Sequence, residues 1–266
     1  MSTPRLVTIP FSHFCEKARW ALDRAGVSYV EQAHVPMVHR PYSKAAGGSG
    51  SVPVLVTADG PLGESAEILR WADATLPEPS RLYPGDPSAR AEVDALVQDF
   101  DRGLGPKVRL WAYFELGRGP EGRGRRADLI VPYAGKGAPA FERVLLRLGW
   151  SPVLSLILRA YGCTPERADK ARARIDATFD AVGERLAAGG PWICGERFTA
   201  ADLVFASLAA PLLSPPEHPF PAPDPALLGG AASEQVARWR AHPAGQHALR
   251  TYRVERHRRA DAPATA

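Results

Sequence analysis

The sequence predicts an α/β domain followed by an all-α helical domain, and three observations carry that expectation. Up to Leu76, short apolar runs alternate with segments of helical spacing in the order β-α-β-α-β-β-α. A proline-rich stretch from Leu76 to Asp86 then reads as a linker. Beyond it no convincing strand pattern occurs, and apolar residues recur at three- and four-residue intervals. The expected boundaries are an α/β domain over 1–78, a linker over 79–87, a helical domain over 88–252, and a basic, disordered tail over 253–266.

The elements follow in order. Leu6-Val7-Thr8-Ile9 is a short apolar strand ending at Pro10. Phe14, Ala18, Ala21 or Leu22, and Ala25 share one helical face, and Gly26 stops that helix. Val27 to Val35 is rich in β-formers, and Pro36 ends it. His39 to Ala46 fits a short helix or an irregular loop. Ser51 to Val56 is a strand with Pro53 near its start, where a proline marks an edge, a bend or a cis bond. Asp59-Gly60 turns it into a hairpin with Pro61-Leu62-Gly63. Ile68, Leu69, Ala72 and Leu76 then form a helical stripe with Ser65 as its N-cap.

In the second half, Ala91 to Phe114 reads as one helical path kinked by Gly103, Gly105 and Pro106. Gly117 to Gly124 is a break. Phe141 to Tyr161 is a helical pair or a helix bent at Pro152. Pro165 to Ala188 is the clearest amphipathic helix, burying Ala168, Ala171, Ile175, Phe179, Val182 and Leu186. Phe198-Thr199-Ala200-Ala201-Asp202-Leu203 is a capping signature, with Thr199 and Asp202 exchanging bonds and Phe198 stapled on Leu203. That helix runs to about Leu213. Pro211 to Pro225 is irregular, and a last helix spans about Ser233 to Arg250.

Composition excludes several classes. With 266 residues and a net charge of +4, the chain has the balance of an ordinary globular protein. Its 28 arginines and 5 lysines are not gathered in one block, so charge gives no sign of nucleic-acid binding. Cys15, Cys163 and Cys194 are odd in number and far apart, which fits neither a disulfide framework nor a zinc site. No signal-peptide pattern opens the chain. Val144 to Tyr161, the most apolar later stretch, is broken by Arg147, Pro152 and Arg159 and reads as too short and too charged for a membrane span. The expectation is a cytoplasmic protein without nucleic-acid, membrane or metal partners.

Chemistry concentrates at Phe11 to Leu22. Ser12 and Cys15 both fall in the first turn of the first helix, where free N–H groups and the helix dipole favour an anion such as a thiolate. Taken alone, the stretch is better explained with Ser12 as an N-cap and Cys15 as a small buried hydrophobe.

Four local signals in this order resemble the glutathione S-transferase superfamily, whose members join a thioredoxin-like domain to an all-helical one. The first is Ser12-His13-Phe14-Cys15-Glu16-Lys17-Ala18-Arg19, similar to the catalytic helix start. The second is Val52-Pro53, similar to the family's cis-proline turn. The third is Glu64-Ser65 before Ile68-Leu69-Arg70-Trp71. The fourth is Phe198 to Asp202. Together they cover about residues 5–76 and 190–213.

The resemblance implies a glutathione transferase-like enzyme, with glutathione as co-substrate and a small apolar electrophile as its partner. Ser12 would stabilise the thiolate, which is the nucleophilic form of a thiol. Val52 and Pro53 would pair with the peptide backbone, Glu64 and Ser65 would hold the γ-glutamyl end, and His39, Arg40 or Lys44 would meet the glycyl carboxylate. Phe11, Trp111, Tyr113 and Phe114 are candidates for the electrophile side, with core or interface packing as the alternative. The family also implies a homodimer. Cys15 stands at the second position of a CxxC-like spacing whose first cysteine is absent, which disfavours dithiol cycling. A thiol transferase or reductase acting through Cys15 is the alternative, provided that thiol is exposed and its pKa lowered. A non-catalytic binding or interaction role is another. The region 117–163 is longer than a minimal member needs.

Overall fold

Strand β1 (Arg5–Thr8) lies at the centre of a four-stranded sheet with β2 (Val30–Ala33), β3 (Val54–Thr57) and β4 (Gly60–Leu62), in the order β2-β1-β3-β4. The computed structural model describes residues 3–117, 130–220 and 230–260. β1 pairs parallel with β2, Val7 opposite Gln32, and antiparallel with β3, Val7 opposite Val54. A parallel neighbour requires a crossover, and helix α1 (His13–Arg24) supplies it. Leu6, Val7 and Thr8 are fully buried, as a central strand covered on both faces should be. Helices α2 (His39–Ala45) and α3 (Ser65–Ala74) complete the expected thioredoxin-like order.

The rest is helical: α4 (Pro87–Asp99), a π-helical segment Phe100–Leu104, α5 (Gly105–Gly117), α6 (Ala140–Tyr161), α7 (Pro165–Ala188), α8 (Ala200–Leu213), α9 (Gly230–Ala241) and α10 (Pro243–Glu255). Residues 130–134 are helical as well. The kink expected near Gly103 is the π segment. α8 is the hub. Its residues are buried nearly throughout, and α1, α5 and α10 pack on it. Its start uses the expected cap: the Asp202 carboxylate accepts the Thr199 N–H at 2.9 Å and also the Ile193 N–H at 2.8 Å.

Several expectations need correction. The second strand is Val30–Ala33, shorter than Val27 to Val35. Glu64, not Ser65, holds the cap position of α3; Ser65 is its first helical residue. The single last helix is two helices, broken where His242 caps a new start at Pro243. Residues 253–260 are not a disordered tail. α10 continues to Glu255, Arg256 is buried, and the Ala260 N–H bonds the Arg24 carbonyl at 2.9 Å. Residues 261–266, the break after Gly117 and the end of the proline-rich stretch lie outside the described residues.

α6 corrects another expectation. It is one 22-residue helix containing Pro152, long and apolar enough by length and composition to cross a membrane. Here one face is docked on the protein through Glu142, Leu146, Trp150, Leu154 and Ile157. The opposite face, including Phe141, Val144, Leu145 and Leu148, is exposed.

Candidate active site

Ser12 occupies the cap position of α1 with extended backbone, and its hydroxyl oxygen accepts the Cys15 N–H at 3.4 Å. At the far end Gly26 takes a left-handed φ of 67°, which closes the helix. Buried charge fixes α1 from below. Arg256 reaches Glu16 at 2.6 Å, Lys17 reaches Asp101 at 2.5 Å and Arg19 reaches Glu31 at 2.6 Å. Arg19 also donates to the carbonyls of Pro10 and Ile9, so the chain entering the helix is held too.

Ser12 opens on a cleft of about 540 Å³. One wall is the α/β part: Phe11, Ser12, His13, Arg40, Ser51 and Val52. The Val52–Pro53 peptide is cis, as the sequence allowed. The other wall is helical: Arg109, Trp111 and Tyr113 from α5, Trp150 and Tyr161 from α6, with Tyr133 between them. Tyr113 and Tyr161 stack at 5.7 Å, and Phe11 meets Tyr133 at 5.9 Å. Gly105 lets α5 approach this closely. A Cβ there would stand 2.6 Å from the Phe14 ring, and the Gly105 carbonyl accepts the His13 Nε2–H at 3.0 Å. Burial and the Arg109 charge lower the His13 pKa to about 3, so the ring is neutral and its Nδ1 is unprotonated.

The predicted residues divide. Ser12, Phe11, Arg40, His39, Val52, Trp111 and Tyr113 line the cleft. Trp111 doubles as core, edge-on to Trp239 at 4.8 Å. Phe114 turns away and packs against the main core. Pro53 and Lys44 do not line the cleft; Pro53 is buried behind Val52. Glu64 and Ser65 are also outside the lining. The Ser65 side chain is buried, and the Glu67 carboxylate already accepts the N–H groups of Gly63 and Glu64 at that helix start.

Cys15 is corrected outright. Its side chain is fully buried, and burial pushes the thiol pKa up, against the smaller downward pulls of Arg19 and the Ser12 hydroxyl. Neither condition for a reactive thiol holds.

Sequence reasoning missed His13, Arg109, Tyr133, Trp150 and Tyr161. Arg109 carried a signal, since it lies four residues before Tyr113 on the same helical face. Met37 also lines the cleft, with an unusual φ of 73°.

The profile described as glutathione S-transferase, N-terminal domain, matches residues 6–80, and that described as glutathione S-transferase, C-terminal domain, matches residues 165–242. No curated protein matches the chain. Among solved structures, a glutathione S-transferase from Pseudomonas fluorescens superposes with a TM-score of 0.59 at 16% identity, covering 98% of this chain and 100% of that one. One from Xanthobacter autotrophicus gives 0.58 at 18%, covering 93% and 91%. A theta-class glutathione S-transferase from Xanthomonas axonopodis with glutathione bound gives 0.53 at 21%, covering 94% and 98%. These likenesses are of fold. Together with the two domain matches they place the chain in the glutathione S-transferase superfamily.

Proposed function

We propose that the protein is a glutathione transferase in which Ser12 stabilises the glutathione thiolate for attack on a small electrophile held against the helical wall. The observation that carries this is the position of Ser12. A hydroxyl at the N-terminus of α1 opens on the same cleft as the residue before the cis proline, Val52. The hydroxyl donates to the sulfur, the helix dipole favours the anion, and the thiol proton leaves to solvent. The sulfur then bonds the electrophilic carbon as its leaving group departs with the electron pair. The peptide backbone pairs with Val52, and Arg40 lies on the same wall for a carboxylate. Glutathione bound in the Xanthomonas structure supports the choice of thiol.

The test is Ser12→Ala. Loss of one preorganised donor to a reacting anion costs roughly a hundredfold in kcat, so conjugation of glutathione to a chloro-dinitrobenzene should fall by about that factor, with glutathione affinity and the far-ultraviolet spectrum retained. Unchanged turnover in the variant would sink the assignment of Ser12.

A further inference from the structure

Three arginines that contact α1 or lie on it have a carboxylate: Arg19 with Glu31, Arg24 with Glu255, Arg256 with Glu16. Arg109 differs. It is half-buried in the wall of the cleft, yet no carboxylate of the described residues lies within ion-pair distance of it. Its guanidinium faces rings instead, 4.4 Å from the centre of Tyr161 and 5.6 Å from that of Phe14. Stacking of this kind fixes the planar fork without using its N–H donors. The carboxylate that shares the cleft, Glu115, has a partner of its own and sits about 9 Å further along α5.

A guanidinium without a hydrogen-bond or ion-pair partner among the described residues, stacked on rings in an aromatic cleft, selects a carboxylate or sulfonate, because charge-assisted bidentate bonds are strong at such a site. The rings of Tyr113, Tyr161 and Trp150 suit a flat apolar body joined to that anion. We infer that Arg109 is a specificity-determining residue for the second substrate, and that this substrate is an aromatic electrophile bearing an acidic group. The inference rests on the conjugation reading for the identity of the substrate, while the anion site itself does not. The carboxylates of glutathione are the other source of the same chemistry, and the test separates the two.

The full chain is given para-chloro-dinitrobenzoate or its methyl ester with reduced glutathione. In both reactions the sulfur–carbon bond forms at the chlorine-bearing carbon, chloride leaves with the electron pair, and the thiol proton goes to solvent. After division by the uncatalysed rates, the acid should exceed the ester roughly ten- to a hundredfold in kcat/KM, mostly through KM. Arg109→Gln should abolish that preference, and Arg109→Lys should retain part of it. Calorimetry with unreactive dinitrobenzoate and dinitrobenzamide reads the same preference without turnover, in wild type even if Arg109→Gln does not fold.

Equal treatment of acid and neutral partner in wild type overturns the inference. So does Arg109→Gln weakening glutathione while leaving the acid-to-ester ratio unchanged, since Arg109 would then belong to the thiol peptide. Failure to turn over either electrophile, together with acid binding that depends on Arg109, keeps the anion site and overturns the transferase reading.

Discussion

The two walls of the cleft are held in different ways. The wall that carries Ser12 rests on α1, whose Glu16, Lys17 and Arg19 are each fully or almost fully buried and each paired with an opposite charge. It belongs to the main core through Ala18, Trp20 and Leu22. The wall that carries Trp150 rests on α6, which shares only a small satellite cluster with Val35, Val131, Ala134 and Ala138. One buried carboxylate, Glu142, ties it to the chain just after β2: it meets His34 Nδ1 at 2.7 Å and the Val35 N–H at 3.0 Å. The Ser12 wall is thus firmly held, as the proposed stabilisation of a thiolate demands. The α6 wall has less support, which in the proposed reading lets it adjust to the shape of an electrophile.

The largest effect should come from breaking the support of α1. Glu16→Ala leaves Arg256 buried with Asp23 as its remaining partner, and Asp23 is 40% exposed. Removing one member of a buried pair costs about 3–5 kcal/mol, read as a lower urea midpoint of the whole chain. The paired variant Glu16→Leu with Arg256→Met should recover much of the loss, because the desolvation of both charges disappears together. A single variant as stable as wild type would show that this wall is no more tightly held than the other.

The same contrast governs what could be read from the sequence. Ser12, Val52-Pro53 and the Thr199–Asp202 cap are local devices, each visible within a few residues, and each is where it was expected. The helical wall depends on distant packing. α5 is apolar on several sides because α7 and α8 cover it while the cleft takes what remains. Spacing alone therefore could not tell that Tyr113 faces the cleft and Phe114 the core. At Glu64-Ser65 the local detail differs: Glu64 takes the cap position, and Glu67, three residues on, accepts the N–H groups of Gly63 and Glu64. The burial of Cys15 was one of its two sequence readings, whereas that of Glu16 was hidden for a remote reason. The partner of Glu16 is 240 residues away, in a segment whose composition reads as tail.

His13 spans the two walls, from α1 to the Gly105 carbonyl, and it makes their contact sensitive to acid. The folded chain keeps His13 neutral down to about pH 3, whereas the unfolded chain takes up a proton near 6.5. Above pH 6.5 both states are neutral there and its contribution is constant. Between 6.5 and 3 the unfolded state binds more protons, so stability falls as pH falls, by about 1.4 kcal/mol per unit for this one group. His39 and His218, each lowered to about 4 by burial, act in the same direction. Urea midpoints at pH 7.5 and pH 5 should therefore separate in wild type and separate less in His13→Gln. Equal separation in the two proteins would mean that His13 is protonated in the folded state.

The smallest effect should come from loosening α6. Glu142→Ala removes two hydrogen bonds and leaves the Val35 N–H and the His34 ring without their partner, beside a His34 Nε2 that has no hydrogen-bond partner among the described residues. The cost is about 1–3 kcal/mol, and because α6 adds little to the main core it should be local. Amide exchange over 140–161 should quicken while the urea midpoint moves less than in Glu16→Ala. Conjugation should weaken through the KM of the electrophile, with the affinity for glutathione unchanged, since Ser12 and Val52 stand on the other wall. A midpoint shift as large as that of Glu16→Ala would join α6 to the main core. Loss of glutathione affinity would mean that the two walls act as one site, and the division of labour between a fixed thiol side and an adaptable electrophile side would have to be abandoned.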